Sequence, residues 1–363
     1  MDPVQNLTTL APQITTDEDA FIYAHQLVSF SVLPMTLTSA IDLGIFDIIA
    51  KAGPGASLSP GEIAAQLPTK NPEAASMLDR MMRLLASYSV LTCTMEARDD
   101  GGVERKYGAA PVVKYLAKNE DGVSIAAMAM HQDRVFMESW YYLKDAVLNG
   151  GIPFIKAHGM GAFEYLGTDP RVNKAYNEGM KNPSTIITKK ILEIYKGFDD
   201  LKVLVDVGGG VGGTLKMILQ KHPHIKGINI DLPHVISEAE PIPGVEHVTG
   251  DIFESVPSGD GILMKWFLHI WSDEDCIKIL RNSWKALPED GKVIIMNNMV
   301  PVDPKPTMEN QEAIVMDLVL MVKYPGGKER TEMEFHSLAK RAGFSGSEVI
   351  YGFANNCMIE FYK

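Results

Sequence analysis

The segment Val203-Leu-Val-Asp206-Val-Gly208-Gly-Gly210-Val-Gly212-Gly213 joins an apolar stretch, an acidic residue and a cluster of glycines. Its glycines let the main chain turn tightly and bring N–H groups against a ligand that a Cβ atom would hold away. A helical pattern follows over residues 215–221, and Gly227-Ile-Asn-Ile-Asp231 has the pattern of a second buried strand that ends in an acid. This strand, loop, helix and strand unit predicts a site for a nucleotide-like ligand.

The glycine spacing fits two kinds of cofactor loop. Positions 208, 210 and 213 match the dinucleotide pattern G-x-G-x-x-G, whereas 208, 210 and 212 match the looser G-x-G-x-G of S-adenosylmethionine enzymes. Asp206 favours the second, because a carboxylate there repels a pyrophosphate and attracts the sulfonium and amino groups of S-adenosylmethionine. The loop therefore predicts S-adenosylmethionine as cofactor, with Asp206, Gly208 and Gly210 in its site.

Two further acids follow strands. Asp231 lies 25 residues after Asp206 and is placed to bind two ribose hydroxyls. Asp251, in His247-Val-Thr-Gly-Asp251-Ile-Phe253, is placed to accept a hydrogen bond from an adenine amine. The alternative is that both acids only cap helices.

Composition limits the class of protein. The chain has 363 residues, of which 46% are hydrophobic and 22% charged, so two domains with sizeable cores are expected. The net charge of −12 argues against nucleic-acid or membrane partners, which need clustered cations. No secretory signal is visible near the N-terminus, which predicts a cytoplasmic protein. Three widely spaced cysteines give no zinc pattern and no disulfide framework, so no metal is expected.

The N-terminal third has a winged-helix outline. Residues 19–50 are helical in pattern, with a break at Pro34, and residues 58–67, 72–91 and 92–107 follow as helix, helix and β-hairpin. The second helix carries few cations, which is poor for tracking phosphates. We therefore interpret residues 1–118 as a mainly helical winged-helix dimerisation domain and residues 119–363 as the cofactor domain.

Strands and helices alternate after residue 203, which predicts an α/β fold with a doubly wound, mostly parallel sheet. Ligands of such sheets bind beyond the carboxyl ends of the strands. The strand at residues 262–266 leads into Phe267-Leu-His269-Ile-Trp271, so His269 is expected at that edge. An imidazole there could act as a general base for a phenol. The alternative is a buried histidine of the core.

From about residue 17 to 361 the chain resembles the plant caffeic acid O-methyltransferase family, whose members are S-adenosylmethionine-dependent phenolic O-methyltransferases. The matching stretches are Leu33-Pro-Met35, Met77-Leu-Asp-Arg80, Lys118-Asn-Glu-Asp-Gly122, Gly150-Gly-Ile-Pro-Phe154, Asp206-Val-Gly-Gly-Gly210, Asp231-Leu-Pro-His-Val235, Met264-Lys-Trp266, Trp271-Ser-Asp273 and Gly326-Gly-Lys-Glu-Arg-Thr331. The resemblance implies a Rossmann-like methyltransferase domain, a homodimer, and S-adenosylhomocysteine as product without a metal. It also implies that His269 deprotonates the acceptor while Glu329 orients the imidazole.

The resemblance extends the candidate site. Cofactor positions implied in addition to the loop and its acids are Leu232, Ile252, Phe253 and Lys265. Acceptor positions implied are Met130, His131, Phe136, Ala162, Leu166, Tyr176, Met180, Ile270, Met316, Val319, Leu320 and Tyr324.

This chain departs from the lignin-pathway members at two catalytic positions. Ile270 follows the histidine where those members look like His-Asp, and Asn297 stands where they carry a second glutamate. Together with the altered acceptor positions, these residues favour an apolar or polycyclic acceptor, such as a coumarin or flavonoid, over a lignin precursor. An aromatic amine needs less help from a base than a phenol does, so N-methylation of an aromatic amine such as anthranilate or an acridone stays an alternative.

Two further readings stay open at this point. An NAD-dependent oxidoreductase depends only on glycines 208, 210 and 213, and Asp206 argues against it. A winged-helix regulator would require salt-dependent DNA binding, which the net charge of −12 disfavours.

Overall fold

The computed structural model describes residues 14–97 and 101–363. These residues fall into two compact units: residues 14–137 with 171–183, and residues 138–170 with 184–363. Two parts of the sequence-based predictions lie outside the described residues: the tip of the predicted hairpin at residues 98–100, and most of the N-terminal stretch in which no secretory signal is expected. The sequence-based division into residues 1–118 and 119–363 stays a prediction about domains.

The first unit combines short helices with a small antiparallel sheet in the order β1-β3-β2, as a winged helix requires. Its elements are α1 (Asp17–Val28), α2 (Val32–Asp42), α3 (Ile45–Lys51), β1 (Ser57–Leu58), α4 (Pro60–Ala64), α5 (Ala74–Ser87), β2 (Leu91–Ala97), β3 (Val103–Ala109), α6 (Val113–Leu116) and a 3₁₀ helix (Ile125–Gln132). Helix α5 buries Leu78, Met82 and Leu85, which recur at helical spacing and pack into one core. Ser59 and Glu62 form a capping box that fixes the start of α4.

Within residues 14–97 and 101–363, no single helix has the length and apolar character of a membrane span. Helices α1 and α2 reach that length and apolar character only when taken together, and they are bent by 49°.

The second unit is built on a seven-stranded sheet in the order β6-β5-β4-β7-β8-β10-β9. Its remaining elements are α7 (Arg134–Trp140), α8 (Leu143–Asn149), α9 (Pro153–His158), α10 (Ala162–Leu166), α11 (Pro170–Ile194), β4 (Val203–Val207), α12 (Gly213–Lys221), β5 (Lys226–Asp231), α13 (Pro233–Ile236), β6 (Val245–Thr249), β7 (Gly261–Lys265), a 3₁₀ turn (Leu268–Ile270), α14 (Asp273–Ala286), β8 (Lys292–Asn298), α15 (Met308–Lys323), α16 (Glu332–Ala342), β9 (Gly346–Phe353) and β10 (Asn356–Tyr362). Helices α7 and α11 cross from one unit to the other along the chain.

Strands β4 to β8 are parallel, and β10 and β9 add an antiparallel edge. The predicted α/β fold with a mostly parallel sheet is therefore confirmed. The carboxyl ends of β4, β5, β7 and β8 lie along one edge, because parallel strands share a direction. That edge carries the glycine loop and the residues after Lys265 and Asn297.

Alternating residues of the central strands pack against opposite faces of the sheet. On β4, Val205 and Val207 join one core while Leu204 joins the other, and on β8 Ile295 and Ile294 divide in the same way. Helices α14 and α16 supply apolar residues to the first core, and α11 and α12 supply them to the second. Burial of each such aliphatic side chain contributes roughly 1.5–3 kcal/mol to the free energy of folding. The strands whose ends carry the candidate site are therefore packed firmly on both faces.

A buried polar cluster joins β8 and β10 away from the glycine loop. Glu360, with 4% of its surface exposed, accepts hydrogen bonds from Lys292 Nζ at 2.8 Å, Tyr362 Oη at 2.7 Å and the hydroxyl of Tyr195. Burial alone would raise the pKa of Glu360, but hydrogen bonds from Lys292 and the tyrosines outweigh it, so the pKa lies below its usual 4.5. The folded state therefore favours the ionised carboxylate.

Glu360→Gln is expected to lower the free energy of unfolding by about 3 kcal/mol at pH 7, because Lys292 would lose its buried counter-charge. Since the pKa of Glu360 is lowered by folding, its contribution is complete above the unfolded value and is lost as pH falls through the folded value. Urea unfolding between pH 7 and pH 3 measures this effect. Glu246→Gln is the matched control, because Glu246 also lies on a strand and pairs with a lysine, Lys226 at 3.0 Å, but both side chains are exposed; equal losses in both variants would contradict the prediction.

Candidate active site

The glycine loop leaves β4 in a conformation that other residues rarely adopt. Gly208, Gly210 and Gly212 have φ values of 66°, 61° and 83°. A Cβ atom on Gly208 would lie 2.5 Å from the ring of Phe267, so a side chain is excluded there by contact as well as by conformation. The tight turn that the sequence predicts is therefore present; the approach of the loop N–H groups to a ligand stays a prediction.

Strand β5 braces the loop from the side. The Gly210 N–H donates to Asp231 Oδ2 at 2.9 Å, and Asn229 Nδ2 donates to the Gly210 carbonyl at 2.8 Å. Asp231 Oδ1 accepts from the Leu232 N–H at 2.7 Å. Each carboxylate oxygen has a second lone pair, so Asp231 can still accept hydrogen bonds from ribose hydroxyls.

Asp206 lies on the central strand with 1% of its surface exposed. Its Oδ2 atom accepts no hydrogen bond from any residue within 14–97 and 101–363. Burial raises the pKa of Asp206 to about 7, although the charge of Lys265 opposes the shift. A buried acceptor at the end of a strand fits the cationic part of S-adenosylmethionine, which would supply the missing donor.

Lys265 ends β7 beside Asp206. Burial lowers its pKa to about 8, while the negative charge of Asp206 acts in the opposite direction. Its Nζ atom donates to Ser184 Oγ at 2.7 Å and lies 4.1 Å from the centre of the Trp266 ring. Lys265 is therefore fixed at the same edge of the sheet as the glycine loop.

The residues after β6 form a turn with an apolar side. Asp251 Oδ1 accepts from the Phe253 N–H at 2.8 Å and so fixes this turn; the residues that follow form a turn and not a helix, so the alternative of a helix cap does not describe Asp251. Ile252 and Phe253 pack on the core, and the Phe253 ring meets Trp271 edge-on with centroids 4.9 Å apart. An aromatic and aliphatic surface of this kind suits a flat purine ring.

His269 and Glu329 are in contact, as the resemblance implies. His269 lies in the 3₁₀ turn after β7, and its Nδ1 atom is 3.1 Å from Glu329 Oε1. The histidine side chain is 16% exposed and the glutamate 2%. With Nδ1–H donating to the carboxylate, Nε2 carries the lone pair and can accept a proton.

Asn297 completes this cluster at the end of β8. Its Nδ2 atom donates to Glu329 Oε2 at 2.6 Å and to the Asn298 carbonyl at 3.0 Å. The Asn297 Oδ1 atom is buried and has no hydrogen-bond partner in the described part of the chain. Asp317 on α15 accepts the Glu329 N–H at 2.8 Å, so Glu329 is fixed at its main chain as well as at both carboxylate oxygens.

The predicted acceptor positions divide between the two units. In the unit with the large sheet, Ala162, Leu166, Leu320 and Tyr324 are buried, and Ile270, Met316 and Val319 are partly buried. The Phe163 and Tyr324 rings stack with centroids 5.1 Å apart. The other unit contains Met130, His131, Phe136, Tyr176 and Met180, of which Met130 and Phe136 are buried.

Sequence reasoning missed three residues that hold the candidate site: Asn229, Asp317 and Arg330. Arg330 is fully buried although it is charged. Arg330 lies in the stretch Gly326–Thr331, which carries the resemblance, so the sequence marked its position. The sequence did not show what the Arg330 side chain contacts.

The described ranges contain no group of three or more His, Cys, Asp or Glu side chains that is arranged to hold a metal ion. Metal independence of the reaction stays a prediction.

Comparison with known proteins agrees with this geometry. Residues 140–345 match the family model of the O-methyltransferase domain, and residues 25–119 match that of the O-methyltransferase dimerisation domain. Caffeic acid 3-O-methyltransferase of Eucalyptus gunnii is 59% identical over 98% of each chain. Flavone O-methyltransferase 1 of Triticum aestivum is 59% identical over 96% of this chain and 97% of its own.

Solved structures share the fold. Human N-acetylserotonin methyltransferase in complex with SAM has a TM-score of 0.79 at 20% identity, covering 97% of this chain and 99% of its own. A methyltransferase of calicheamicin biosynthesis in its SAH-bound form has a TM-score of 0.80 at 24% identity, covering 96% and 99%.

Fold, cofactor loop and matched domains together define an S-adenosylmethionine-dependent O-methyltransferase with an N-terminal dimerisation domain. The identity to the Eucalyptus enzyme extends over nearly the whole chain. The chain belongs to the plant caffeic acid O-methyltransferase-like family, and it methylates phenolic oxygen. Membership of this family excludes the interpretation of the chain as an NAD-dependent oxidoreductase.

Proposed function

We propose that His269 is the general base that removes the proton of an aromatic hydroxyl as that oxygen is methylated. The observation that carries the proposal is the contact of His269 Nδ1 with the buried Glu329 carboxylate, which leaves Nε2 to accept the proton. Bound S-adenosylmethionine supplies a reactive methyl group, so the protein mainly needs to position the acceptor and take one proton. General-base help of this kind is typically worth roughly 10²–10⁴-fold in rate.

Glu329 supports this step in two ways. Its hydrogen bond selects the tautomer of His269, and its negative charge stabilises the imidazolium that forms. Asn297 holds the second carboxylate oxygen as an amide donor, so the cluster carries one negative charge in place of the two that the resemblance associates with lignin-pathway members. One buried carboxylate next to one imidazole is sufficient to balance the charge of a single proton transfer.

We further propose an apolar or polycyclic aromatic acceptor, such as a flavonoid or coumarin. The side chains of Ile270, Leu166 and Leu320 offer no hydrogen bond to polar substituents, and the stacked Phe163 and Tyr324 rings provide flat apolar surface. Among the relatives are a flavone O-methyltransferase and, at 60% identity, a tricetin 3′,4′,5′-O-trimethyltransferase of Triticum aestivum. Relatives of about the same identity are named for caffeic acid, so the proposal depends on the side chains at the acceptor positions and not on these names.

The first unit supports a homodimer. Large apolar side chains on and between α1 and α2 are exposed, including Phe21 at 72% and Val28 at 84%. An apolar surface of this kind in a dimerisation domain is suited to a second copy of the chain. A cytoplasmic location stays a prediction.

Transfer of labelled methyl from S-adenosylmethionine to a panel of caffeic acid, a flavone, a hydroxycoumarin and anthranilate tests the proposed acceptor. We expect the highest kcat/KM for the flavone or the coumarin, with the label on oxygen, because the apolar side chains at the acceptor positions favour large flat rings. Mass and fragmentation identify the methylated atom. Preference for caffeic acid would contradict the apolar acceptor, and methyl on anthranilate nitrogen would mean that an arylamine is accepted in addition to a phenol.

A further inference from the structure

The turn that carries His269 is held by a buried arginine from the same segment as Glu329. Arg330 has no exposed surface. Its Nη1 atom donates to the Leu268 carbonyl at 2.8 Å, and its Nη2 atom donates to the Trp271 carbonyl at 2.9 Å. The guanidinium therefore contacts main-chain carbonyls on both sides of His269.

Asp273 fixes the guanidinium in this orientation. Its Oδ1 atom accepts from Arg330 Nη2 at 2.8 Å and from Nε at 3.1 Å. Burial would raise the pKa of Asp273, but the hydrogen bonds and charge of Arg330, with the charge of Lys328, lower it further than burial raises it. Asp273 is therefore ionised at neutral pH and provides the counter-charge that a buried arginine needs.

The segment of residues 328–330 and the turn of residues 268–271 are also joined through their main chains. The Lys328 N–H donates to the His269 carbonyl at 2.9 Å. Three consecutive residues thus contact the turn in different ways: Lys328 by its main chain, Glu329 at the imidazole and Arg330 at the flanking carbonyls. The carbonyl and the side chain of His269 are both held from the same short segment.

Stability alone does not account for a buried arginine at this position. Buried ion pairs are often no more stabilising than well-packed apolar residues of similar size, because removing both charges from water is costly. Arginine differs from other residues in presenting several donors in one rigid plane. That property suits the simultaneous hold on Leu268, Trp271 and Asp273.

We propose that Arg330 is a positioning residue for the methyl transfer: it fixes the turn from Leu268 to Trp271 so that His269 keeps Nδ1 on Glu329 and presents Nε2 to the acceptor. The proposal rests on the proposed role of His269 as base. Displacement of a reacting group by about 1 Å can cost roughly 10²-fold in rate, so loosening this turn has a measurable effect.

Arg330→Lys tests the proposal, because lysine keeps the positive charge but cannot hold all three acceptors in one plane. We expect kcat to fall by about 30- to 100-fold, with KM for the acceptor and the Kd of S-adenosylhomocysteine within about threefold of wild type. The ¹⁵N chemical shifts of the His269 ring, assigned with His269→Gln, are expected to change from those of one tautomer to those of a mixture. Arg341→Lys is the matched control, since Arg341 is exposed and pairs loosely with Glu274.

Asp273→Asn is the second variant in case Arg330→Lys does not fold, because asparagine has the same size and keeps an oxygen that can accept from the guanidinium, and the Asp273 side chain is one-third exposed. It weakens the hold on the guanidinium, and kcat is expected to fall by about tenfold. Wild-type kcat in either folded variant, or a lower kcat with unchanged ring shifts, overturns the proposal. If His269→Gln keeps wild-type kcat, the proposed base is wrong, but the ring shifts still report whether Arg330 fixes the imidazole.

Discussion

Replacing His269 by glutamine is expected to lower kcat for methylation of a phenol by roughly 10²–10⁴-fold. Glutamine is similar in reach and can hydrogen-bond to Glu329, but its amide cannot accept the phenolic proton. The Kd of S-adenosylhomocysteine is expected to stay within about twofold of the wild-type value. None of the hydrogen bonds described joins His269 to the loop at Gly208 or to Asp231, which braces that loop. Single-turnover transfer of labelled methyl and calorimetric titration measure the two quantities.

The same variant shows whether the loss of activity is specific to acceptors that must lose a proton to react. An arylamine attacks through a neutral lone pair and releases its proton easily afterwards, so it needs little help from a base. Any methylation of anthranilate is therefore expected to fall by less than about tenfold in His269→Gln. Equal losses for phenol and amine would contradict a base role for His269. His336→Gln is the control, because His336 lies on α16 beside Glu332 and outside the candidate site.

The sequence predicts those parts of the site that are local in the chain. The glycine loop and the acids at 206 and 231 are recognisable because strand, turn and acid follow one another, and the structure places them at one edge of the sheet. The pair of His269 and Glu329 is different. Its members are separated by 60 residues, and only resemblance to a known family connected them.

Contacts without a sequence signature could not be predicted in this way. Arg330 binds carbonyl oxygens, which every residue has, so nothing in the sequence shows its partners. Asp317 likewise accepts from a main-chain N–H. The helical pattern is interrupted near Pro34 as expected, but the break falls a few residues earlier, between Val28 and Val32. Pro34 lies in the first turn of α2, where its missing N–H has no intrahelical partner to lose.

Glu329→Gln is expected to lower kcat by roughly 10³-fold, because it removes the charge that stabilises the imidazolium. Geometry adds to this loss. Glu329 uses Oε1 for His269 and Oε2 for the Asn297 amide. A glutamine has only one oxygen, so its NH₂ group must face either the donor of His269 or the donor of Asn297. The variant therefore loses charge and orientation together, and steady-state kinetics with the preferred phenol measures the sum.

The double variant Glu329→Gln with Asn297→Asp separates the two losses. An aspartate at 297 can accept from the glutamine NH₂, which turns the glutamine oxygen towards Nδ1–H of His269 and restores the tautomer. The negative charge then lies one group further from the imidazole, so stabilisation of the imidazolium is only partly recovered. We expect kcat about tenfold above that of Glu329→Gln and still well below wild type. Asn297→Asp alone is the control, since it places two carboxylates within hydrogen-bond distance and makes one of them retain a proton. A double variant no faster than Glu329→Gln would mean that Asn297 does not orient the catalytic pair, and that its hydrogen bond to Glu329 serves only to satisfy a buried carboxylate.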